Sequence, residues 1–162
     1  MQPGKILDVL ILLMLANGTP LVAKKILGNR LSYPIDANLR FADGKRLFGP
    51  SKTVRGFTLA VLATTAGAVL LGFDWRIGVL LGSAAMAGDL FSSFIKRRCN
   101  MATSSMALGL DQVPESLFPL IACRGWLSLG LVDIAVTVAL FFAGEIVLSR
   151  FFFALGLRDR PY

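Results

Sequence analysis

Long uncharged apolar stretches separated by short polar segments run through this chain. About 20 helical residues cross the ~30 Å hydrocarbon core of a bilayer, and the pattern has room for five such spans, at roughly 6–22, 57–73, 77–95, 113–128 and 131–153. Asn17-Gly18-Thr19-Pro20 predicts a kink late in the first span, and Asp74-Trp75-Arg76 reads as a tight turn between the second and third. Arg124, Asp133 and Glu145 break the apolar pattern of the last two spans, which divide near 128–131. The first stretch lacks a small-residue cleavage site and reads as a retained span rather than a signal peptide. The expected fold is an all-α integral membrane protein of about five transmembrane helices, a single polytopic domain over 1–162. Its long polar loops fall at about 23–56 and 96–112.

Composition agrees. The chain is 55% hydrophobic with a mean hydropathy of +0.68, yet carries a formal charge of +7, so the charge must sit in the loops. Lys5, Arg76 and Arg124 fall on one side of the predicted bilayer and the other fourteen of the 17 Lys and Arg on the opposite side. The positive-inside rule makes that richer side cytoplasmic, placing the N-terminus outside and the C-terminus inside. With no His in the chain, imidazole acid–base chemistry and His-ligated metals are excluded. Cys99 and Cys123 read as reduced thiols, since Cys99 follows the cytoplasmic run Lys96-Arg97-Arg98.

The 23–56 loop is denser in charge than topology alone requires, with eight basic residues, Asp36 and Asp43 among 34 positions. Glycines at 28, 44, 49 and 56 let the backbone approach a ligand closely. The stretch 38–56 is not a Walker A loop, because Pro50-Ser51 separates Gly49 from Lys52-Thr53. A helix starting near Arg55-Gly56 adds orphan N–H groups that favour an anion, and either anionic lipid head groups or a polyphosphate fit as partner.

Three carboxylates stand out. Asp89 lies within an apolar span, where a charge at the centre costs about 2.5–3.5 kcal/mol and usually marks function. Lys96, seven residues on, lies two turns and about 10 Å along the same helix. Asp111 and Glu115, at i and i+4, share a helix face. Asp89 with Asp111 would offer hard oxygen ligands to Mg²⁺. The structural alternatives are an ion pair for Asp89 and helix capping for Asp111, with Pro114 in the first turn. Gly78 and Gly82 form a small-xxx-small packing face, and Phe151-Phe152-Phe153 with Arg158 and Arg160 reads as an interfacial helix end.

In combination these motifs resemble a known family. Ala37-Asn38-Leu39, Gly44-Lys45-Arg46, Lys52-Thr53-Val54-Arg55-Gly56, Gly88-Asp89-Leu90, Ser93-Phe94-Ile95-Lys96-Arg97-Arg98 and Leu110-Asp111-Gln112-Val113-Pro114-Glu115, in that order, look like the CDP-archaeol synthases. The resemblance spans nearly the whole chain. More distantly it reaches the CDP-diacylglycerol synthases, from which this chain departs at Gly88, where those enzymes have Lys, and at Gln112, where they have Arg.

The resemblance implies transfer of a cytidylyl group from CTP to an unsaturated isoprenoid glycerol ether phosphate, with release of pyrophosphate and a need for Mg²⁺. It implies that Asp89 and Asp111 hold the metal, with Glu115 as a third ligand or as a carboxylate supporting them, and that Lys96 acts with them. Lys45, Arg46, Lys52, Arg55, Lys96 and Arg97 would neutralise phosphate charge, Gly44, Thr53 and Gly56 would line the substrate loop, and Asn38 would meet cytosine or ribose. The expected setting is the cell membrane, with the active face cytoplasmic, and neither nucleic acid nor an obligate protein partner. A CDP-alcohol phosphotransferase is disfavoured because no acidic residue follows Asp43-Gly44 before Asp74. The rival from another class is a small ion transporter or channel using Asp89.

Overall fold

A computed structural model describes residues 2–103, 105 and 107–154, without the side chains of 151–154. The expected interfacial end at Phe151-Phe152-Phe153, Arg158 and Arg160 therefore lies outside the described side chains. Five helices follow in order: α1 (Pro3–Leu27), α2 (Val54–Leu70), α3 (Trp75–Arg98), α4 (Gln112–Leu127) and α5 (Leu131–Ala154). Among the described residues the extended backbone amounts to two isolated bridges, Pro34 with Thr53 and Arg40 with Arg46.

α1, α3 and residues 131–150 of α5 are long and apolar enough to cross a membrane. α2 is a shorter apolar helix of 17 residues. α4 has 16 residues, about 24 Å of helix; it carries Glu115 and Arg124 and stops at Ser128, whose backbone is left-handed. Five helices thus occupy the five expected spans, but three of them reach full crossing length.

α1 continues past the expected span end at 22 to Leu27, with Pro20 inside it. Proline removes one N–H and crowds the carbonyl four residues back. Stopping there would strip several more backbone groups of partners where lipid offers none. The neighbouring polar side chains fold back instead: Asn17 Nδ2 donates to Leu13 O at 3.1 Å and Thr19 Oγ1 to Leu15 O at 2.6 Å.

α3 is the central helix, packed against α1, α2 and α4, while α5 leans on α4 and α1. The core joins Val9, Leu12 and Leu13 of α1 to Ala60 and Ala68 of α2, Leu81 and Ala85 of α3, and Leu120 and Cys123 of α4. Gly78 and Gly82 allow the α2–α3 contact: a Cβ on Gly78 would lie 2.5 Å from Thr65 Cα, and one on Gly82 3.1 Å from Val61 Cα. Large apolar side chains such as Leu62, Leu70, Ile121 and Val132 face outward, as a bilayer solvent permits.

Helix alternation brings the C-terminal ends of α1 and α3 together with the N-terminal ends of α2 and α4. The long connections, 28–53 and 99–111, lie at that end. The opposite end closes with brief turns, 71–74 and 128–130, where Gln2 N donates to Asp133 Oδ1 and Lys5 Nζ to Leu127 O.

Candidate active site

The 28–53 connection is organised by Asp36, only 2% exposed. Its carboxylate accepts from Arg46 Nη2 at 2.6 Å and from the backbone N–H groups of Asn38, Phe48 and Gly49. Burial pushes its pKa up, but the Arg46 guanidinium and the three N–H donors outweigh it and hold the pKa at about 2. A left-handed backbone at Ala37 and Asn38 completes this tight loop.

Arg98 fastens the loop to α3. Its Nε lies 3.2 Å from Asp43, its Nη2 donates to Arg46 O at 2.6 Å, and its guanidinium sits over the rings of Phe41 and Phe94. Lys45 Nζ in turn donates to Arg98 O at 3.1 Å. At the end of the loop, Ile35 N bonds to Lys52 O and Thr53 caps α2 by accepting from Gly56 N.

The chemistry converges on Lys52. Its ammonium lies 2.5 and 2.6 Å from the two oxygens of Asp89, and the Asp89 carboxyl hydrogen-bonds Glu115. Burial would lower the Lys52 pKa, but Asp89 and then Glu115 raise it, so Lys52 stays charged. Gly88 makes this possible. A Cβ there would fall 2.2 Å from Pro114 O and 2.8 Å from Glu115 N, so only a bare α-carbon lets the first turn of α4 bring Glu115 against Asp89.

Lys96 and Asp111 form a second pair at 2.7 Å, and Lys96 also donates to Ser105 O. Asp111 occupies the cap position of α4 but does not cap it; its Oδ2 accepts from Ala107 N instead. Arg97 bonds Thr103 Oγ1 and Ala102 O, pinning the 99–111 connection, while its stem lies near Gly49. Arg55 Nη1 donates to the carbonyls of Gly28 and Arg30.

The predicted site residues therefore fall into groups. Lys52 and Asp89, both half-buried, form one centre with the buried Glu115, and Lys96 and Asp111 pair beside it. Lys45, Arg46 and Arg97 are tied into the loops around it, and Thr53, Arg55 and Gly56 begin α2. Asn38 and Gly44 sit on exposed turns, with no described hydrogen bond to that centre. Among the described residues, no three acidic or thiol side chains converge at metal-ligand spacing. Of the expected trio, Glu115 is the carboxylate neighbour of Asp89, and Asp111 is paired with Lys96 beside them.

Sequence reasoning passed over Asp36, whose signal was an Asp two residues before Asn in a glycine-rich loop, the pattern of an Asx turn. It also passed over Gly88 as a packing device and over Glu145 of α5, whose charge acts on Glu115.

Residues 5–162 match the CarS-like family, CDP-archaeol synthase. The chain belongs to that family. It is 30% identical to the CDP-archaeol synthase of Thermofilum pendens over 171 aligned positions, covering all of this chain and 84% of the relative. With the CDP-archaeol synthase of Staphylothermus marinus it shares 33% identity, covering 92% and 87% of the two chains. With that of Sulfurisphaera tokodaii it shares 33%, covering 80% and 81%. A solved structure described as an intramembrane enzyme for archaeal membrane lipid biosynthesis has the same fold, with a TM-score of 0.67 over 85% of this chain and 90% of the other at 24% identity. This CarS-like chain is an enzyme and a multi-pass membrane protein, and the ion-transporter alternative finds no support in any of these relatives.

Proposed function

We propose that this chain is a cytidylyltransferase that makes CDP-archaeol from CTP and an unsaturated isoprenoid glycerol ether phosphate at the cytoplasmic face of the membrane. The observation that carries this reading is the half-buried Lys52–Asp89 pair with the buried Glu115, at the end of the bundle where the basic loops gather, in a chain of this family. The charge asymmetry supports the cytoplasmic assignment of that end.

In this reaction a lipid phosphate oxygen attacks the α-phosphorus of CTP. The new P–O bond forms as the bond to the β-phosphoryl oxygen breaks, and pyrophosphate leaves with the electron pair. No general base is needed: a phosphomonoester with a second pKa of about 6 is already ionised near neutrality, which suits a chain without His. The barrier is charge repulsion and positioning, and the chain's cations answer both. Lys52, fixed by Asp89 and kept charged, holds phosphate oxygens at the centre. Lys45, Arg46, Lys96 and Arg97 neutralise the rest of the triphosphate. Asp111 sets the position of Lys96.

The donor set fits Mg²⁺. That ion is usually held by one or two carboxylates plus substrate phosphates rather than by a closed protein cage, and Asp89 with Glu115 supplies such a pair. Asp111 Oδ1 is a further oxygen donor, buried and without an aligned hydrogen bond although Lys96 lies 2.7 Å away. Bound there, Mg²⁺ supplies electrostatic neutralisation of the triphosphate.

The test is product analysis. Purified protein with CTP, Mg²⁺ and the isoprenoid ether lipid phosphate yields the CDP-lipid and pyrophosphate, and Asp89→Asn lowers the rate about 100-fold or more. Wild-type rates in Asp89→Asn would refute the role given to that carboxylate; the absence of CDP-lipid from the wild type would refute the function.

A further inference from the structure

A cavity of about 120 Å³ opens between the end of α1, the 28–35 segment and the start of α2. Lys24, Asn29, Ser32, Lys52, Thr53 and Arg55 supply its polar wall, and Phe57 and Met86 part of its apolar wall. We propose that this cavity receives the phosphomonoester head of the lipid substrate, with Lys24 as the residue that recognises it. The proposal rests on the cytidylyl-transfer reading and divides that site into a lipid-phosphate side and a nucleotide side.

Size is the first argument. Pockets that hold drug-sized ligands run to roughly 300–1,000 Å³; this one suits a phosphorylated head group, not a nucleoside triphosphate. The second is position. Lys24 lies on α1 between Val22 and Ile26, which are 55% and 75% exposed, so the cavity mouth adjoins an apolar outer flank along which lipid chains run. Pro20 packs within 3.3 Å of where a Gly56 Cβ would be, closing α1 onto α2 beside the cavity.

Charge supplies the third argument. The Lys24 side chain is exposed and pairs with no described residue, leaving its ammonium available to an anion. The denser cations, Lys45, Arg46, Lys96 and Arg97, do not line this cavity and belong with the more highly charged triphosphate. Lys52 and Asp89 line the cavity and also face Glu115 and Lys96. The centre thus borders both compartments, as an attack by one phosphate on another requires.

Lys25 is the control: it carries the same charge at the same helix end and does not line the cavity. Lys24→Met, Lys24→Arg and Lys25→Met are compared in mixed micelles, varying isoprenoid ether lipid phosphate at fixed CTP and the reverse. Equilibrium binding of the same lipid phosphate is measured in parallel. Loss of one charge-assisted contact predicts a rise of about tenfold in KM for the lipid with Lys24→Met. KM for CTP stays unchanged, Lys24→Arg restores the wild-type value, and Lys25→Met changes neither. The proposal is overturned if KM for CTP rises instead, if Lys25→Met matches Lys24→Met, or if Lys24→Met has no effect. Should the wild type transfer no cytidylyl group, the functional reading fails and binding alone decides the cavity. About tenfold weaker binding of lipid phosphate by Lys24→Met then upholds it, and equal binding overturns it.

Discussion

Replacing Asp36 with Asn tests whether one buried carboxylate holds the 28–53 loop together. The two side chains have the same shape, but Asn offers one oxygen where Asp offers two. Asp36 Oδ1 takes the Arg46 guanidinium and Asn38 N, and Oδ2 takes Phe48 N and Gly49 N. Whichever way the amide turns, its NH₂ faces donors. Holding the pKa at about 2 instead of 3.8 corresponds to about 2 kcal/mol of stabilisation of the charged form. Because the folded-state pKa is depressed, that contribution is full above pH 4 and is lost as pH falls toward about 2. At neutral pH the substitution removes it. A loss of about 2 kcal/mol in local opening free energy predicts amide exchange roughly 30-fold faster across residues 36–49. Exchange in the α2–α3 contact stays near wild type, because that packing does not involve Asp36. Mass-spectrometric hydrogen exchange on the detergent-solubilised protein measures both. Unchanged protection at Phe48 and Gly49 in Asp36→Asn would show that the carboxylate does not organise the loop.

Further predictions follow from the packing around the site. Gly88→Ala places a methyl carbon 2.2 Å from Pro114 O and should cost about 1–3 kcal/mol while parting Glu115 from Asp89. Thermal unfolding and CTP-dependent turnover report it, against Gly125→Ala, where a Cβ meets nothing within 4 Å; equal effects from the two would refute the close approach. Lys96→Met and Asp111→Asn should each destabilise, with a double-mutant coupling energy above about 1 kcal/mol from their ion pair. Strictly additive losses would mean the pair contributes nothing. Lowering pH from 7 to 5 should leave the Asp36 loop intact, because its carboxylate stays ionised down to about 2; faster exchange over residues 36–49 within that range would contradict the assignment.

Much of the architecture was legible because bilayer chemistry writes it into the sequence. A run of apolar residues long enough to cross lipid cannot sit elsewhere at low cost, so the helices fall near their predicted places, and the spacing of Gly78 and Gly82 announced a close helix contact, whose partner is α2. The first helix runs past residue 22 because its length depends on what would satisfy the backbone groups freed around Pro20, a property of the surroundings rather than of the residue. The site was legible as a set of residues but not as a set of partnerships. Charge and hydropathy picked out Asp89, Asp111 and Glu115, whereas which two meet is decided by a missing side chain at Gly88 and by the reach of Lys96. Nor could any local pattern reveal that Lys52, 37 positions away from Asp89, would lie against it. That contact depends on the Asp36 loop folding back between them.

The brief turns at the far end of the bundle bear on how the chain enters a membrane. Residues 71–74 and 128–130 are all that separate α2 from α3 and α4 from α5, so each pair can insert as a helical hairpin with a tip of three or four residues passing through lipid. With the charged loops on the cytoplasmic side, as proposed above, they never have to make that passage. Lengthening either tip with lysines would therefore be expected to hinder assembly of the protein without altering any residue of the proposed site.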